Sequence, residues 1–307
     1  MSKAPPAGDR LSRFSRAAAL YELTKPGIAG YVVVATGVGY YVASGGAVVW
    51  PPLLHTLFGT VLATGGALAL NQFIERDADA LMHRTRTRPL PSGRLPAWQA
   101  LAFGLFLVAA GIGHLWFWVG WLPAALTLLS AVAYNLVYTP LKPRSYLATP
   151  AGAIPGAIPP LIGWSAATGG LELGAVALFG IAFLWQLPHV LGLAWMLKED
   201  YDRAGFLLMP PSDPQGTAIG SRMLTYSVAL LPVGISPSAL GLTGWIYGAG
   251  ALLLGGMLVM FSAACIREMT NRNARKVFLA SLAYHLSLIH ISEPTRPILV
   301  SRMPSSA

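Results

Sequence analysis

The chain has 307 residues, of which 54% are hydrophobic and 11% charged, and its mean hydropathy is +0.57. That is too apolar for a soluble domain that must cover itself with polar surface, so the chain reads as an integral membrane protein. The single cysteine, Cys265, excludes an internal disulfide and any multi-cysteine zinc site.

In chain order, "MSKAPPAGDRLSRFSR" is basic but lacks the apolar core of a signal peptide, so residues 1–25 read as a cytosolic leader. Apolar runs close to the roughly 20 residues needed to cross a bilayer follow at 27–49, 53–74, 98–117, 120–137, 149–166, 174–195, 224–240 and 243–265, with a ninth starting near residue 277. No run alternates apolar and polar residues for long, so the fold class is all-α, a polytopic helical bundle, and not a transmembrane barrel. All but Arg296 and Arg302 of the 21 lysines and arginines fall in the leader or in alternate connections, while the connections near Trp50, Val119, Gly169 and Gly241 carry none. This is the positive-inside pattern of a multi-pass protein with its N-terminus in the cytosol, and it accounts for a net charge of +9 without a nucleic-acid partner. The setting it describes is a bacterial inner membrane.

The two longest polar connections, 75–97 and 197–223, follow the second and sixth runs on the same side of the membrane, and the chemistry is expected there. Their corresponding places hint at two related halves. In "NQFIERDADALMHRTRTRPLPSGR", Asn71, Glu75 and Asp79 recur every fourth residue and on a helix share one face, about 40° round and about 6 Å along from one to the next. An amide and two carboxylates offer the hard oxygen ligands that Mg²⁺ takes alongside water and phosphate. Arg84, Arg86 and Arg88 follow, whose planar forks suit phosphate oxygens. Acids beside arginines indicate a bridged anion: a metal and the anionic leaving group of a lipid substrate. The basic residues also serve topology, whereas acids contribute little to it and are costly near hydrocarbon.

The end of the sixth run repeats the design. In "WQLPHVLGLAWMLKEDYDRAGF", Pro188 bends the helix, His189 follows, and Glu199, Asp200 and Asp202 alternate with Lys198 and Arg203. A second acidic group facing the first would let two metal ions flank a diphosphate, and Asp200 is the first choice for it. His189 reads as an interior or substrate-contacting histidine. Between the two connections, "YTPLKPRS" sets Tyr138, Lys142 and Arg144 at another cytosolic helix end, where they contact the anion or set topology. "TPAGAIPGAIPPLIGW" combines small residues with four prolines, which allows close helix approach and a bent cavity wall.

At these residues the chain resembles the UbiA-type intramembrane prenyltransferases, with the Asn-x3-Glu-x3-Asp signature in the form typical of the protohaem IX farnesyltransferase branch. "IPGAIPPLIGW", "WQLPHVLGLAW", "KEDYDRAGFLLMP" and "SVALLPVGISP" occur in that branch's order, so the resemblance covers about residues 20–284. It implies nine transmembrane helices round a central cavity over residues 26–284, Mg²⁺ as cofactor, and transfer of farnesyl from farnesyl diphosphate to a vinyl group of haem B, giving haem O. By motif, Asn71, Glu75, Asp79 and Asp200 would serve the metal, and Arg84, Arg88, Tyr138, Lys142, His189, Lys198 and Arg203 the substrates. Haem A synthase or oxidase-assembly proteins are the partners implied. Val190 stands where the family usually has Phe, and Ala148 where it often has Asn. After "KVFLASLAY", residues 285–307 resemble no family terminus and read as translated adapter or vector sequence following a ninth helix cut short. About 15 apolar-leaning residues then remain for that span. Acceptors such as 4-hydroxybenzoate or a chlorophyll precursor, and a transporter function, are the alternatives, but transporters place ionisable groups near the bilayer midplane.

Overall fold

The structure, a computed structural model, describes residues 7–208, 213 and 215–291; the tail read as adapter sequence lies, from residue 292, outside the described residues. Among the described residues all regular structure is helical. The helices are α1 (Ala7–Leu23), α2 (Pro26–Ala43), α3 (Trp50–Ile74), α4 (Arg76–Leu81), α5 (Ala97–Trp118) and α6 (Trp121–Val132). A π-helical turn, Ala133–Tyr138, joins α6 to α7 (Thr139–Leu141), and then come α8 (Ala148–Ala157), α9 (Pro159–Thr168), α10 (Leu173–Met196), α11 (Lys198–Arg203), α12 (Thr217–Ala239), α13 (Trp245–Arg267) and α14 (Asn271–Ile291). Among the described residues seven stretches are long and apolar enough to span a bilayer: α2, α3, α5, α6 through α7, α10, α12 and α13. Phe106, Leu136 and Leu253 point outward, as on a surface wetted by lipid, and exposed Trp50, Trp118, Trp121 and Trp245 ring the end away from the charged connections.

The predicted fifth span is one bent helix in two pieces, α8 and α9. Ile158 keeps helical angles (φ −71°, ψ −33°), but Pro159 has no N–H to give the Pro155 carbonyl. Ser130 Oγ donates to that oxygen at 3.1 Å, and Gln186 Nε2 donates to the Ala153 carbonyl at 2.8 Å, so α6 and α10 supply bonds along the bend. Small residues bring the staves together. A Cβ on Gly66 would stand 2.6 Å from the Gly104 carbonyl oxygen, and one on Gly163 would overlap that of Thr36, so α3 meets α5, and α2 meets α9, backbone to backbone.

Three boundaries differ from the sequence reading. The leader is structured from Ala7: Ala19 and Leu23 are fully buried against Ala69, Leu95 and Ala100. Helix α12 starts at Thr217, well before the predicted 224, because the Asp213 carboxylate accepts the N–H groups of Thr217, Ala218 and Ile219 at 2.8 to 3.2 Å. The ninth helix starts at Asn271 and not near 277; it has 21 residues, but it is not among the stretches apolar enough to span a bilayer. Ala274, Val277, Ala280 and Tyr284 are buried in one cluster with Trp185, Met223 and Leu258, which fixes α14 in the bundle.

Candidate active site

Helix α3 is interrupted at Glu75 (φ −90°, ψ 5°), where α4 takes over. The Glu75 N–H still bonds to the Asn71 carbonyl at 2.9 Å, and the Asp79 N–H to the Glu75 carbonyl at 2.7 Å, so the four-residue spacing survives the break. All three side chains are buried, and each meets one basic group from elsewhere in the chain. Asn71 Oδ1 accepts from Lys25 Nζ at 3.0 Å, Glu75 Oε1 from Lys142 Nζ at 2.6 Å, and both Asp79 oxygens from Arg88 Nη1 at 2.7 Å. Ionised groups this deep require such partners, since removing one from a buried pair costs about 3–5 kcal/mol.

The partners are positioned by local structure. Arg88 returns to Asp79 because "HRTRTRPLPSG" folds into tight turns: Met82 accepts the N–H groups of Thr85 and Arg86, Thr85 Oγ1 donates to the Asp79 carbonyl at 2.8 Å, and Met82 and Leu95 are buried beneath. Arg94 ties this loop to α1 through Glu22 at 2.8 Å. Lys25 lies at the N-cap of α2 with φ 44°, before Pro26, a left-handed conformation unusual for a residue with a side chain. Burial, then the charge of Arg88, lowers its pKa to about 7, with Glu75 working the other way. Burial also penalises the Lys142 ammonium, but Tyr138 and Glu75 more than compensate and hold it above the usual lysine range. The π-helical turn orients the neighbouring wall: Thr139 Oγ1 donates to the Tyr134 carbonyl five residues back at 2.8 Å and accepts from Asn71 Nδ2 at 3.0 Å.

The second constellation folds onto the first. Asp200 on α11 is buried, and its carboxylate accepts the N–H groups of His83 at 3.2 Å and Arg84 at 3.3 Å while pairing with Arg203. Burial alone would raise its pKa, but those two N–H groups and then Arg203 hold it below the usual aspartate value. The Leu207 N–H donates to the Lys142 carbonyl at 2.7 Å, joining the α11–α12 connection to the same cluster.

Below this charged rim lies a chamber with about 280 Å³ available to the centres of water-sized molecules. Its lining combines apolar residues, Ala63, Ala67, Leu68, Ile162 and Val190 among them, with the polar side chains of Tyr31, Tyr134, Tyr138, Thr149 and Gln186. Tyr138 belongs to both regions, since its ring lines the chamber and its centroid is 4.6 Å from Lys142 Nζ. A second pocket of about 50 Å³, bounded by Val42, Leu178, Pro237, Thr243 and His285, has no Asp, Glu, Lys or Arg in its lining among the described residues.

The structure therefore brings Asn71, Glu75, Asp79, Arg88, Tyr138 and Lys142 together, with Asp200 against the adjoining loop. Among the described residues no three His, Cys, Asp or Glu side chains converge as for a metal ion, and the Asp200 carboxylate is held by the His83 and Arg84 N–H groups and by Arg203. Arg84 reaches Asp200 through its backbone N–H, with its side chain exposed. Lys198 is exposed above the Trp195 ring, 4.8 Å from its centroid. His189 faces α14, with its Nδ1 2.9 Å from Ser281 Oγ and its ring between Trp185 and Phe278, while its neighbour Val190 lines the chamber. Sequence reasoning counted Lys25 as topology and passed over Thr139 and Tyr134. The signals for them were the Lys-Pro pair opening the first apolar run and the Tyr-x3-Tyr spacing before Thr139.

Charged helix ends over an apolar chamber are matched by sequence. A profile of the UbiA prenyltransferase family matches residues 32–288. The chain belongs to the UbiA prenyltransferase family. It is 44% identical over 278 residues to a protein of Solibacter usitatus named protoheme IX farnesyltransferase, covering 88% of this chain and 95% of that one. A Myxococcus xanthus protein of the same name is 41% identical over 268 residues, covering 86% and 90%. Among solved structures, a digeranylgeranylglyceryl phosphate synthase matches with a TM-score of 0.76 at 16% identity, covering 90% of this chain and 98% of that one. A UbiA homologue from Archaeoglobus fulgidus bound to GPP and Mg²⁺ matches with a TM-score of 0.60 at 11% identity, covering 89% and 100%. At those identities the likeness is one of fold, and the prenyltransferase architecture of the family is the fold found here.

Proposed function

We propose that this prenyltransferase moves the farnesyl group of farnesyl diphosphate onto a vinyl carbon of haem B, yielding haem O and diphosphate. The observation that carries the reading is a buried, charge-paired rim at the mouth of an apolar chamber, in a chain 44% identical to a protein named for that reaction. The diphosphate would lie at the rim against Lys142, Arg88 and Lys25, and the isoprenoid tail would descend along Ala63, Ala67 and Leu68.

The donor set of Asn71, Glu75 and Asp79 fits Mg²⁺: all three present oxygens, they share a helix end, and each already holds a positive group, so positive charge is what this position is built to receive. The bound ion would supply charge compensation for the departing diphosphate. The residues of the chain do the rest. Arg88 and Lys142 hold the leaving group as the carbon to oxygen bond breaks. The rings of Tyr134 and Tyr138 face the place where the allylic cation forms. The π electrons of the haem vinyl group form the new carbon to carbon bond, and the resulting cation takes up water and releases a proton, leaving a hydroxyl. Asp200 acts through the 83–88 loop by holding its backbone, and Arg203, Arg84 and Lys198 at the outer rim meet the propionates or the departing diphosphate.

The rim and the N-terminus would face the cytoplasm in a bacterial inner membrane, with residues 26–284 as the transferase domain, α1 as a packed extension, and oxidase-assembly proteins or haem A synthase receiving the product. The test is incubation of membranes containing the chain with labelled farnesyl diphosphate and either haem B or 4-hydroxybenzoate, with and without a chelator. Farnesylated haem that disappears on chelation is expected. Farnesylated 4-hydroxybenzoate, or undiminished turnover without divalent ions, would overturn the corresponding part.

A further inference from the structure

Building on that reading of the site, we propose that Lys25, Lys142 and Arg88 are exchangeable cationic partners: each holds one oxygen donor of the Asn71, Glu75 and Asp79 set, and each passes to the diphosphate when a divalent cation and the prenyl diphosphate enter as a unit.

The pairing is one to one and comes from three separate elements. Lys25 reaches Asn71 at 3.0 Å from the α2 cap, Lys142 reaches Glu75 at 2.6 Å from the end of α7, and Arg88 reaches Asp79 at 2.7 Å from the loop after α4. Lys25 is, among the described residues, the one non-glycine with positive φ, and it holds that conformation directly before a proline, where steric freedom is already reduced. Its side chain contributes no helix cap, and what it reaches is Asn71.

Charge balance then dictates how ligands enter. A divalent ion arriving alone must displace basic groups from their oxygens and leave them buried without a partner, which is costly in low dielectric. A diphosphate arriving alone gains the basic groups but leaves Glu75 and Asp79 unpaired beside its own negative charge. When both arrive, the oxygens turn to the metal, the basic groups turn to phosphate, and every buried charge keeps an opposite neighbour. The rim therefore couples the two ligands, and Lys25 acts as a diphosphate-binding residue with the same standing as Lys142 and Arg88.

The test uses the full chain in detergent or nanodiscs, with Mn²⁺ as the spin probe and non-hydrolysable farnesyl thiodiphosphate as the prenyl ligand. Retention of the thiodiphosphate in equilibrium dialysis should be at least about tenfold tighter with Mn²⁺ than with chelator, as for an ordinary coupling free energy. Mn²⁺ alone, followed by electron paramagnetic resonance, should bind about tenfold more tightly to Lys25→Met than to the unsubstituted chain, since that substitution frees an amide oxygen and leaves no carboxylate unpaired. Lys142→Met should show the same gain where it folds. Equal Mn²⁺ affinity in Lys25→Met and the unsubstituted chain, or thiodiphosphate retention indifferent to Mn²⁺, overturns the exchange and leaves the site assignment standing. Failure to retain the thiodiphosphate under either condition overturns both.

Discussion

The two charged connections look alike as sequence and differ as structure. After α3, an amide and two carboxylates are buried, and each is matched to a basic group, Asn71 and Glu75 to lysines from distant segments and Asp79 to Arg88 of the same connection. After α10, one acid of three is buried, Asp200, and it is spent on two backbone N–H groups of the first connection, while Glu199, Asp202 and Lys198 are exposed. On the function proposed above, the first connection is the site and the second the clamp that shapes it. Alternating acids and bases mean little until burial shows which of them must be paired, because only buried charges have no water to fall back on.

That contrast can be broken most forcefully at the first connection. Glu75→Gln or Asp79→Asn should lower haem farnesylation about 10² to 10³-fold, comparable to losing one preorganised charge at a reacting centre. Quantifying haem O in membranes decides it, and activity within a fewfold of the unsubstituted chain would remove that side chain from the site. Next in size, Lys142→Met should cost about 3–5 kcal/mol by stranding Glu75, and much of this should return in the Lys142→Met, Glu75→Gln pair, a cycle read from thermal unfolding in detergent. No recovery in the double variant would mean that Lys142 stabilises the fold by packing alone.

Asp200→Asn tests the clamp. It should reduce turnover about tenfold, far less than the changes at Glu75, because it loosens a loop and leaves the reacting groups in place. Its effect on stability should depend on pH. Asp200 titrates below the usual aspartate value in the folded chain, so its contribution is present above the unfolded carboxylate range and is lost as pH falls through the lower folded value. Melting curves of the two chains should therefore differ near neutrality and converge in acid, whereas a constant gap would assign the effect to shape. Smallest of all, Asp202→Asn and Lys198→Ala should change stability by no more than about 0.5 kcal/mol and leave activity close to the original.

The architecture was largely legible. Each hydrophobic run became a helix, because in a bilayer the backbone has no other way to satisfy itself over that length. The spacing of Asn71, Glu75 and Asp79 was legible too, since two backbone hydrogen bonds carry it through the break at Glu75. Lys25 was not, because its contact with Asn71 spans 46 residues and rests on a backbone angle that no pattern announces. For His189 the sequence left interior packing and substrate contact open, and the rotation of α10 decides for the interior: it presents Val190 to the chamber and turns the imidazole to Ser281. The start of α12 depended on Asp213, an acid in a polar connection that sequence alone gives no reason to single out.

The π-helical turn at Ala133–Tyr138 works as a phase adjuster. One surplus residue there sets the angular offset between the stave that faces the isoprenoid space and the short segment bearing Thr139 and Lys142. Excising a single position from that turn would rotate everything beyond it by about 100° and swing both contacts away from Asn71 and Glu75, without altering any residue that touches them. Relatives of this enzyme could thus retune how cargo and leaving group are aligned by gaining or losing one amino acid, a far shorter mutational route than rebuilding either surface.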